Sequence, residues 1–507
     1  MKRDLDALTD GRLQLLILGG GITGAGVALD AALRGLRVGL IDKGDFGGGT
    51  SCASSKLVHG GLRYLEYGEL RLVYEALHER GRLLRNAPHL VRPLRFVLPF
   101  YGGARIPPWK WRAGLLLYDL LAGSANIHRS RRLTLGPLCR EFPGLRRIGL
   151  LGAAEYLDAQ TDDARLCLEV VRSAWLHGAL VANHVEATAF EQSDGRLTGV
   201  RAVDRLTGSE LRLRADVFLN AAGPWADSIR RLAGEAGPPL LAPTKGVHLV
   251  APGHGLTAAF LLLHPADGRV FFVLPWLGKT LIGTTDTEWS GAPDDAGVEP
   301  EDVAYLLTGH NHYFDPPLSQ TDLLGTFAGL RPLLRTEGTD PSARSRDYRI
   351  VEGPHGLLTV VGGKYTTYRS MAETITDAAV RRLGLRRRCR TRDLRLDGAP
   401  AESWPVFAAH ALPRLVGTYN LETGAARHLL GRYGRRAFDV TAYVDRDPAL
   451  AKRVIASEPD LQAELAYQRD HEMALTPADF LLRRTRLGLF HPRLLTEPDL
   501  LPARARG

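Results

Sequence analysis

The chain is poor in cysteine and has no long apolar run. Its 507 residues include four cysteines, and no two of them have the spacing of a CxxC or metal motif: Cys52, Cys139, Cys167 and Cys389. We therefore predict no disulfide framework and no metal site, and expect a reduced, cytosolic compartment. No stretch approaches the roughly eighteen apolar residues of a membrane-spanning helix, and the charged start MKRDLDALTDGR predicts no signal peptide.

An excess of cations is the clearest bias in the composition. The chain has 65 Lys and Arg against 56 Asp and Glu, a net charge of +9 and a pI near 9.4. Such an excess reflects either a compositional bias of the source or an anionic partner. The partner would be an anionic substrate, an anionic membrane surface or nucleic acid. We expect no nucleic-acid partner, because the sequence contains no zinc-finger spacing, no aromatic RNA-binding motif and no lysine-rich tail.

A glycine-rich motif near the N-terminus predicts a dinucleotide site. An apolar run at 15–18 predicts a strand buried on both faces. Gly19, Gly21 and Gly24 follow in GxGxxG spacing and open a predicted helix, and a second strand, RVGLID, ends in Asp42. In such a unit the glycines permit a tight turn, the approach of a pyrophosphate and close helix packing, while the acid accepts a ribose hydroxyl. The helix N-terminus adds N–H donors and positive partial charge.

The segments that follow this unit distinguish FAD from NAD. A nicotinamide enzyme continues with alternating strands and helices, whereas here the second strand leads into KGDFGGGTSCASSKLVHGG, which suits a long extended cofactor. Two later segments resemble returns to the same sheet, with strands at 217–220 and 357–361. The first is followed by a turn at 221–223, and the second by a turn at 362–363 and a helix from Thr366 or Thr367. A helix N-terminus there would stabilise negative charge on a reduced flavin, so the three segments together favour FAD.

Motifs spread over residues 19–369 resemble those of one flavoprotein family. They are GGGITGAG, TSCASSKLVHGGLRYLE, YLDAQTDDARL, NAAGPWAD, TKGVHLV, FFVLPW, LIGTTDTE, GLRPLL, RSRDY and VGGKYTTYR. In these motifs the chain resembles the FAD-dependent, quinone-linked glycerol-3-phosphate dehydrogenases of the D-amino-acid-oxidase-like superfamily. TPADFLLRRTRLGL resembles that family's helical C-terminal domain. The resemblance implies FAD as cofactor and oxidation of sn-glycerol 3-phosphate to dihydroxyacetone phosphate, with hydride transfer to flavin N5 and electrons passing to a membrane quinone.

Carried over residue by residue, the resemblance implies a cofactor site and a substrate site. The implied FAD contacts are Gly19, Gly21, Gly24, Asp42, Thr50, Ser51, Ser54, Ser55, Lys56, Gly60, Gly61, Ala222, Gly223, Gly362, Gly363, Lys364 and Thr366. The implied substrate contacts are Arg63, Tyr64, His248, Thr285, Arg331, Arg346 and Lys364. The chemistry agrees, because a phosphate dianion needs several fixed donors and a guanidinium offers a bidentate fork.

Oxidation of an alcohol also needs a base for its proton, most simply a histidine with a pKa near the working pH. We predict His59, which precedes the Gly60–Gly61 pair, and His248 is its competitor. A route through arginine or water stays open. Arg331 is predicted to stabilise the developing alkoxide or to hold the substrate.

The length predicts two or three domains and an α/β class, α+β overall. We predict a discontinuous Rossmann-like FAD-binding domain at 12–100, 160–235 and 330–390, and an antiparallel-sheet substrate or cap domain at 101–159 and 236–329. A C-terminal helical domain is predicted at 391–507. There, Thr476 as N-cap with Pro477 and Asp479 in the first turn predicts one helix over ADFLLRRTRLGL. We expect a structural or assembly role for this domain.

The electron acceptor and the location in the cell are further expectations. We expect a cytoplasmic protein that is peripheral to the inner face of the cell membrane, with a homodimer as an additional expectation. The segment 105–123 combines tryptophans, cations and leucines, and predicts an interfacial anchor. The alternative is a buried helix with a tryptophan-containing entry loop. Rival functions are an oxygen-using glycerol-3-phosphate oxidase, another amine or hydroxy-acid flavin oxidase, and a flavin-binding protein associated with nucleic acid.

Overall fold

The computed structural model describes residues 1–103, 106–253, 255–335 and 348–497. Its strands are β1 (Arg12–Leu18), β2 (Val38–Ile41), β3 (Leu57–Val58), β4 (Val91–Tyr101), β5 (Arg131–Leu133), β6 (Leu150–Thr161), β7 (Leu180–Ala182), β8 (Val185–Ser193), β9 (Arg196–Asp204), β10 (Glu210–Asn220), β11 (Thr244–Ala251), β12 (Ala259–Leu263), β13 (Val270–Trp276), β14 (Lys279–Gly283), β15 (Thr287–Glu288), β16 (Gly325–Arg331), β17 (Tyr348–Glu352) and β18 (Leu357–Gly362). Its helices are α1 (Leu5–Thr9), α2 (Ile22–Leu33), α3 (Leu70–Asn86), α4 (Pro108–Ala122), α5 (Leu135–Glu141), α6 (Asp163–Leu176), α7 (Ala226–Leu232), α8 (Pro300–Tyr313), α9 (Tyr368–Arg382), α10 (Trp404–Tyr419), α11 (Thr423–Tyr433), α12 (Ala437–Arg446), α13 (Gln462–Glu472), α14 (Leu487–Phe490) and α15 (Arg493–Thr496).

The first sheet has the predicted Rossmann-like core. Strands β18, β10, β1, β2 and β7 lie side by side and run parallel, with β17 antiparallel at one edge and the β8–β9 hairpin extending from β10. Apolar residues of α2, α6 and α9 join the strands in one buried core. Because the carboxyl ends of parallel strands meet at one edge of a sheet, the turns after β1, β10 and β18 come together there.

The second sheet is antiparallel, as predicted, except that β12 and β4 pair in parallel. Its order is β15-β11-β14-β13-β12-β4-β6-β3, with β16 on β11 and β5 on β6. The predicted strands around FFVLPW and LIGTTD are β13 and β14, and they pair antiparallel. The predicted boundary at residue 100 differs from the structure, because β3 and β4 pair with β6 in this second sheet. The sequence of β4 indicates a strand but not the sheet that it joins.

The C-terminal domain is helical, as predicted, and has its own apolar core between α10, α11, α12 and α13. The single helix predicted after Thr476 is wrong in its second half. The backbone N–H of Asp479 donates to the hydroxyl of Thr476, so the helix begins where predicted. It continues as a π-helical turn over Asp479–Arg484 and stops before α14, because Arg486 has a left-handed backbone with φ +73°. Among the described residues, we find no helix with the length and apolar composition needed to cross a bilayer.

Candidate active site

A cavity of about 520 Å³ opens at the carboxyl ends of the parallel strands. Most of the predicted cofactor residues line it: Gly19, Gly21, Asp42, Thr50, Ser51, Ser54, Ala222, Gly223, Gly362, Gly363 and Lys364. They come from four separate parts of the chain, and the sheet topology brings them together because β1, β2, β10 and β18 end at the same edge.

The glycines of the first motif make the close backbone contacts that their spacing predicts. Gly19 has φ +110°, and a Cβ there would lie 2.6 Å from the carbonyl oxygen of Ala221. A Cβ on Gly24 would lie 1.9 Å from the carbonyl oxygen of Gly19, so Gly24 supports the turn from behind. Gly21 is the N-cap of α2 and offers no side-chain cap. The N–H of Ile22 donates to the hydroxyl of Ser51 at 2.9 Å. The N-terminal end of α2 lies at the cavity wall, and its positive partial charge fits a diphosphate.

Asp42 lies at the end of β2, on the wall of the same cavity. Its carboxylate accepts backbone N–H groups from Gly20 at 2.6 Å and from Gly44 at 2.8 Å. Burial raises the pKa of Asp42, and these two N–H donors oppose the shift. The carboxylate is thereby fixed in orientation, and its remaining lone pairs can accept ribose hydroxyls.

A second cavity of about 200 Å³ adjoins the first and is lined by the predicted substrate residues. Both cavities share Thr50, Ser54, Gly363, Lys364 and Tyr365. The remaining predicted residues on its wall are Ser55, His59, Gly61, Arg63, Tyr64, His248, Arg331 and Thr366. The shared residues place the reacting end of a cofactor held in the first cavity next to a small molecule held in the second.

In the part of the chain that the structure describes, three Lys or Arg side chains line the second cavity, and neighbouring side chains contact each of them. The guanidinium of Arg331 donates to Asp286 at 2.8 Å and to Thr284 at 2.9 Å. The aromatic ring of Tyr64 lies between the other two, with Arg63 5.1 Å and Lys364 3.8 Å from its centroid. The three cations come from different elements and meet at one cavity of about 200 Å³. Their combined positive charge favours a small, strongly anionic ligand.

The two candidate bases face this cavity in different surroundings. His248 is buried, stacks on Phe327 and has its Nε2 2.9 Å from the hydroxyl of Ser55. Burial, with smaller contributions from Lys56 and Arg331, holds the pKa of His248 well below its usual range, so its ring is neutral at pH 7. His59 is half-buried, and its backbone is fixed on both sides of the residue by the hydroxyl of Thr366. The geometry is compatible with a base at either position.

Comparison with known proteins shows which family contains this site. The family described as FAD dependent oxidoreductase matches residues 14–369. The chain belongs to this family. The description "C-terminal domain of alpha-glycerophosphate oxidase" matches residues 389–497. These matches confirm the fold and the resemblance predicted from the motifs.

The similar proteins cover nearly the whole chain. A mitochondrial glycerol-3-phosphate dehydrogenase of Arabidopsis thaliana is 40% identical, over 94% of this chain and 79% of its own. A glycerol-3-phosphate dehydrogenase of Synechocystis is 36% identical, over 96% of this chain and 91% of its own. The solved structure of the glycerol-3-phosphate dehydrogenase from Bacillus halodurans, complexed with FAD, has a TM-score of 0.81 and 31% identity, over 98% of this chain and 90% of its own. FAD is therefore confirmed as the cofactor.

Some predicted residues do not reach either cavity of this FAD-dependent oxidoreductase. The ammonium of Lys56 is fully buried and pairs with Asp163 at 2.8 Å. The hydroxyl of Thr285 accepts the N–H of Val247. Thr284 instead lines the second cavity, which we call the substrate cavity. Gly24 and Gly60 lie behind the cavity walls. Arg346 lies outside the described residues.

Asp158, in the motif YLDAQTDDARL, lines the second cavity and contacts the turn at Gly60–Gly61, and it was not predicted. Its carboxylate accepts the N–H of Gly60 at 3.2 Å, a guanidinium nitrogen of Arg80 at 2.7 Å and the hydroxyl of Tyr118 at 2.6 Å. Burial raises the pKa of Asp158, and Arg80 opposes this shift most strongly. The motif YLDAQTDDARL was the signal in the sequence that could have identified Asp158. Asp158 belongs to β6, which pairs with β3 directly before the turn at Gly60–Gly61.

The C-terminal domain also contributes to the first cavity, which we call the FAD cavity. This contribution was not predicted from the sequence. Thr476, Ala478, Asp479 and Arg483 line the cavity together with the residues of the first motif. No local pattern indicates this contact, because it depends on how two domains pack.

Proposed function

We propose that the protein oxidises sn-glycerol 3-phosphate to dihydroxyacetone phosphate. The observation that carries the proposal is the group of cations, Arg63, Arg331 and Lys364, in a cavity that adjoins the FAD cavity. A phosphate ester is close to a dianion, and guanidinium and ammonium groups are suited to bind it. The names of the relatives at 36–40% identity support the same substrate.

In this proposal His59 holds the alcohol proton, and His248 is the alternative. The Nε2 of His248 is already hydrogen-bonded to Ser55, whereas His59 lies in the turn that Thr366 fixes. Arg331, held in place by Asp286, stabilises the charge that develops on the alcohol oxygen. Bound FAD would supply the hydride acceptor, its N5, for the hydride that leaves the alcohol carbon.

An anaerobic titration tests the substrate. Adding sn-glycerol 3-phosphate to the purified holoenzyme without oxygen should bleach the flavin absorbance. Glycerol at the same concentration should not, because it lacks the charge that the cations bind. Bleaching by an amino acid or a hydroxy acid, with none by glycerol 3-phosphate, would replace the proposal with the rival oxidase of the same fold.

We propose a membrane quinone as the electron acceptor, with oxygen as the alternative. After anaerobic reduction by substrate, a short-chain quinone should restore the flavin spectrum much faster than air-saturated buffer does. Rapid formation of peroxide in air, with no response to quinone, would assign the protein to the oxygen-using oxidases.

The outer face of α4 supports a peripheral contact with the cytoplasmic side of the membrane. Helix α4 occupies most of the predicted segment 105–123, of which Arg105 lies outside the described residues. Leu115 and Tyr118 are buried, so the inner half of the helix belongs to the core. Trp109, Leu116 and Leu120, spaced by seven and four residues, are 69%, 66% and 76% exposed on one face. An exposed apolar face beside cations is typical of an interfacial helix.

Flotation with anionic liposomes tests this contact. The wild-type protein should float at low salt and less at high salt, because screening weakens attraction to lipid headgroups. The variant Trp109→Ser, Leu116→Ser, Leu120→Ser should not float. A control that removes exposed apolar groups elsewhere, Leu206→Ser with Val406→Ser, should float like the wild type. Equal flotation of all three proteins would show that α4 is not the contact.

A further inference from the structure

The FAD cavity is completed by a segment from the far end of the chain. Thr476, Ala478, Asp479 and Arg483 lie on its wall, although the match to the FAD-dependent oxidoreductase family ends at residue 369. The segment lies instead within the match to the C-terminal domain family, at residues 389–497. A domain without a predicted catalytic group therefore contributes directly to the cofactor site.

Buried ion pairs attach this segment to the loop that follows β2. The carboxylate of Asp45 accepts both terminal nitrogens of Arg484, which is fully buried, and the Nε of Arg483 at 2.6 Å. Arg483 also donates through Nη2 to Asp479 at 2.8 Å. On its other side, the carboxylate of Asp479 lies 3.0 Å from the Nε2 of His184. His184 lines the cavity as well, so the attachment and the cavity wall consist of the same side chains.

The far end of the segment is attached to the wall that both cavities share. Arg486 donates to Asp163 at 2.6 Å and to Asp162 at 2.8 Å. The same carboxylate of Asp163 accepts the N–H of Ser54 at 3.0 Å and its hydroxyl at 2.7 Å. The segment is thus fixed at both ends to the loops that surround the cofactor cavity.

Arg483 is the arginine of this cluster that lines the cavity. Its Nε and Nη2 are engaged by Asp45 and Asp479, and its Nη1 has no hydrogen-bond partner among the described residues. Arg484, in contrast, is fully buried behind it. A guanidinium held rigidly by two carboxylates at the wall of a dinucleotide cavity is suited to bind a phosphate oxygen.

We propose that residues 476–486 are a cofactor-retention element, in which Arg483 presents a cation to the diphosphate of bound FAD. The C-terminal domain then has a defined task, namely to slow the release of FAD. The proposal concerns the cofactor alone and does not rest on the proposed substrate.

The release of FAD from the full-length holoenzyme tests this proposal. FAD fluorescence rises when the flavin leaves the protein, so dilution of the holoenzyme gives the release rate without any activity assay. Arg483→Met should release FAD at least tenfold faster than the wild type, and Arg483→Lys should fall between them. Arg493→Met, at an exposed arginine of the same domain, should match the wild type. Added salt should speed release from the wild type more than from Arg483→Met, because it screens a charge contact.

A parallel measurement of Tm separates retention from domain packing. If Arg483→Met is not folded, Arg483→Gln replaces it, since it keeps a donor toward Asp45 without the charge. A folded variant with a wild-type release rate would overturn the proposal, whatever its Tm. A variant with a lower Tm but unchanged release would assign Arg483 to domain packing alone and overturn it equally.

Discussion

The two adjoining cavities share part of their wall, but different chemical groups bound the rest of each cavity. The FAD cavity is bounded at its strand ends by glycines and backbone N–H groups, with contacts so close that a single Cβ does not fit at Gly24. The substrate cavity is bounded by charged side chains, and each of these is fixed by another side chain, as Asp286 fixes Arg331. At its strand ends, therefore, the first cavity depends on the volume available at the backbone, whereas the second cavity depends on charge throughout.

The largest effect is expected from one added methyl group directly behind the wall of the FAD cavity, at Gly24. Gly24→Ala would place a Cβ 1.9 Å from the backbone oxygen of Gly19, which cannot move without displacing β1. We expect the purified protein to lose its FAD, measured by flavin absorbance. Gly417→Ala is the matched control, because a Cβ there meets nothing within 4 Å, and it should retain FAD. A yellow Gly24→Ala protein would contradict this account of the cavity.

The second largest effect is expected from replacing His59, the proposed base for the alcohol proton. His59→Asn should lower kcat by about 10²–10⁴ and change KM much less, because a base acts in the transition state. FAD content should stay at the wild-type level. His248→Asn is the comparison variant, and a wild-type kcat in His59→Asn would transfer the role of base to His248.

Removing the charge of Arg331 should affect the substrate cavity and leave the FAD cavity intact. Arg331→Ala should lower kcat/KM for glycerol 3-phosphate by at least about 100-fold, or about 3 kcal/mol, because a charge-assisted contact is lost. The bound flavin should be unaffected. Arg12 also pairs with an aspartate, Asp216, but on the surface, so Arg12→Ala should keep the wild-type kcat/KM. Equal kinetics of both variants would remove Arg331 from the substrate site.

The smallest effect is on stability at acid pH. The pKa of His248 in the folded protein lies well below its usual value, so the unfolded chain takes up a proton there that the folded protein does not. Neutral His248 therefore makes its full contribution to the free energy of unfolding above about pH 6.5. As the pH falls below this value, the free energy of unfolding decreases by up to about 1.4 kcal/mol per pH unit. Urea unfolding at several pH values should show a shallower decrease for His248→Gln than for the wild type. The exposed His128→Gln is the control, and identical pH slopes for His248→Gln and the wild type would contradict the assignment.

The parts of this molecule that could be predicted are those encoded by local patterns. The Gly19 turn and the helix after Thr367 follow from spacing and propensity within a few residues, and both are present. The surroundings of Lys56 could not be predicted, because its ammonium is buried against Asp163, which comes from another element. The break before α14 was missed for the same reason, since Arg486 leaves the helix to reach that same carboxylate. Which charges pair across the chain is decided by the tertiary fold.

The position of Arg483 on the cavity wall also sets an order of events during synthesis. The strand that begins the cavity, β1, leaves the ribosome long before residues 476–483 do. Contacts between such distant segments form late, because a long loop must close before they contribute any stability. The FAD cavity therefore stays incomplete until residues 476–483 have been made. A message that is cut short before residue 476 should yield a protein with both sheets and weakly held flavin.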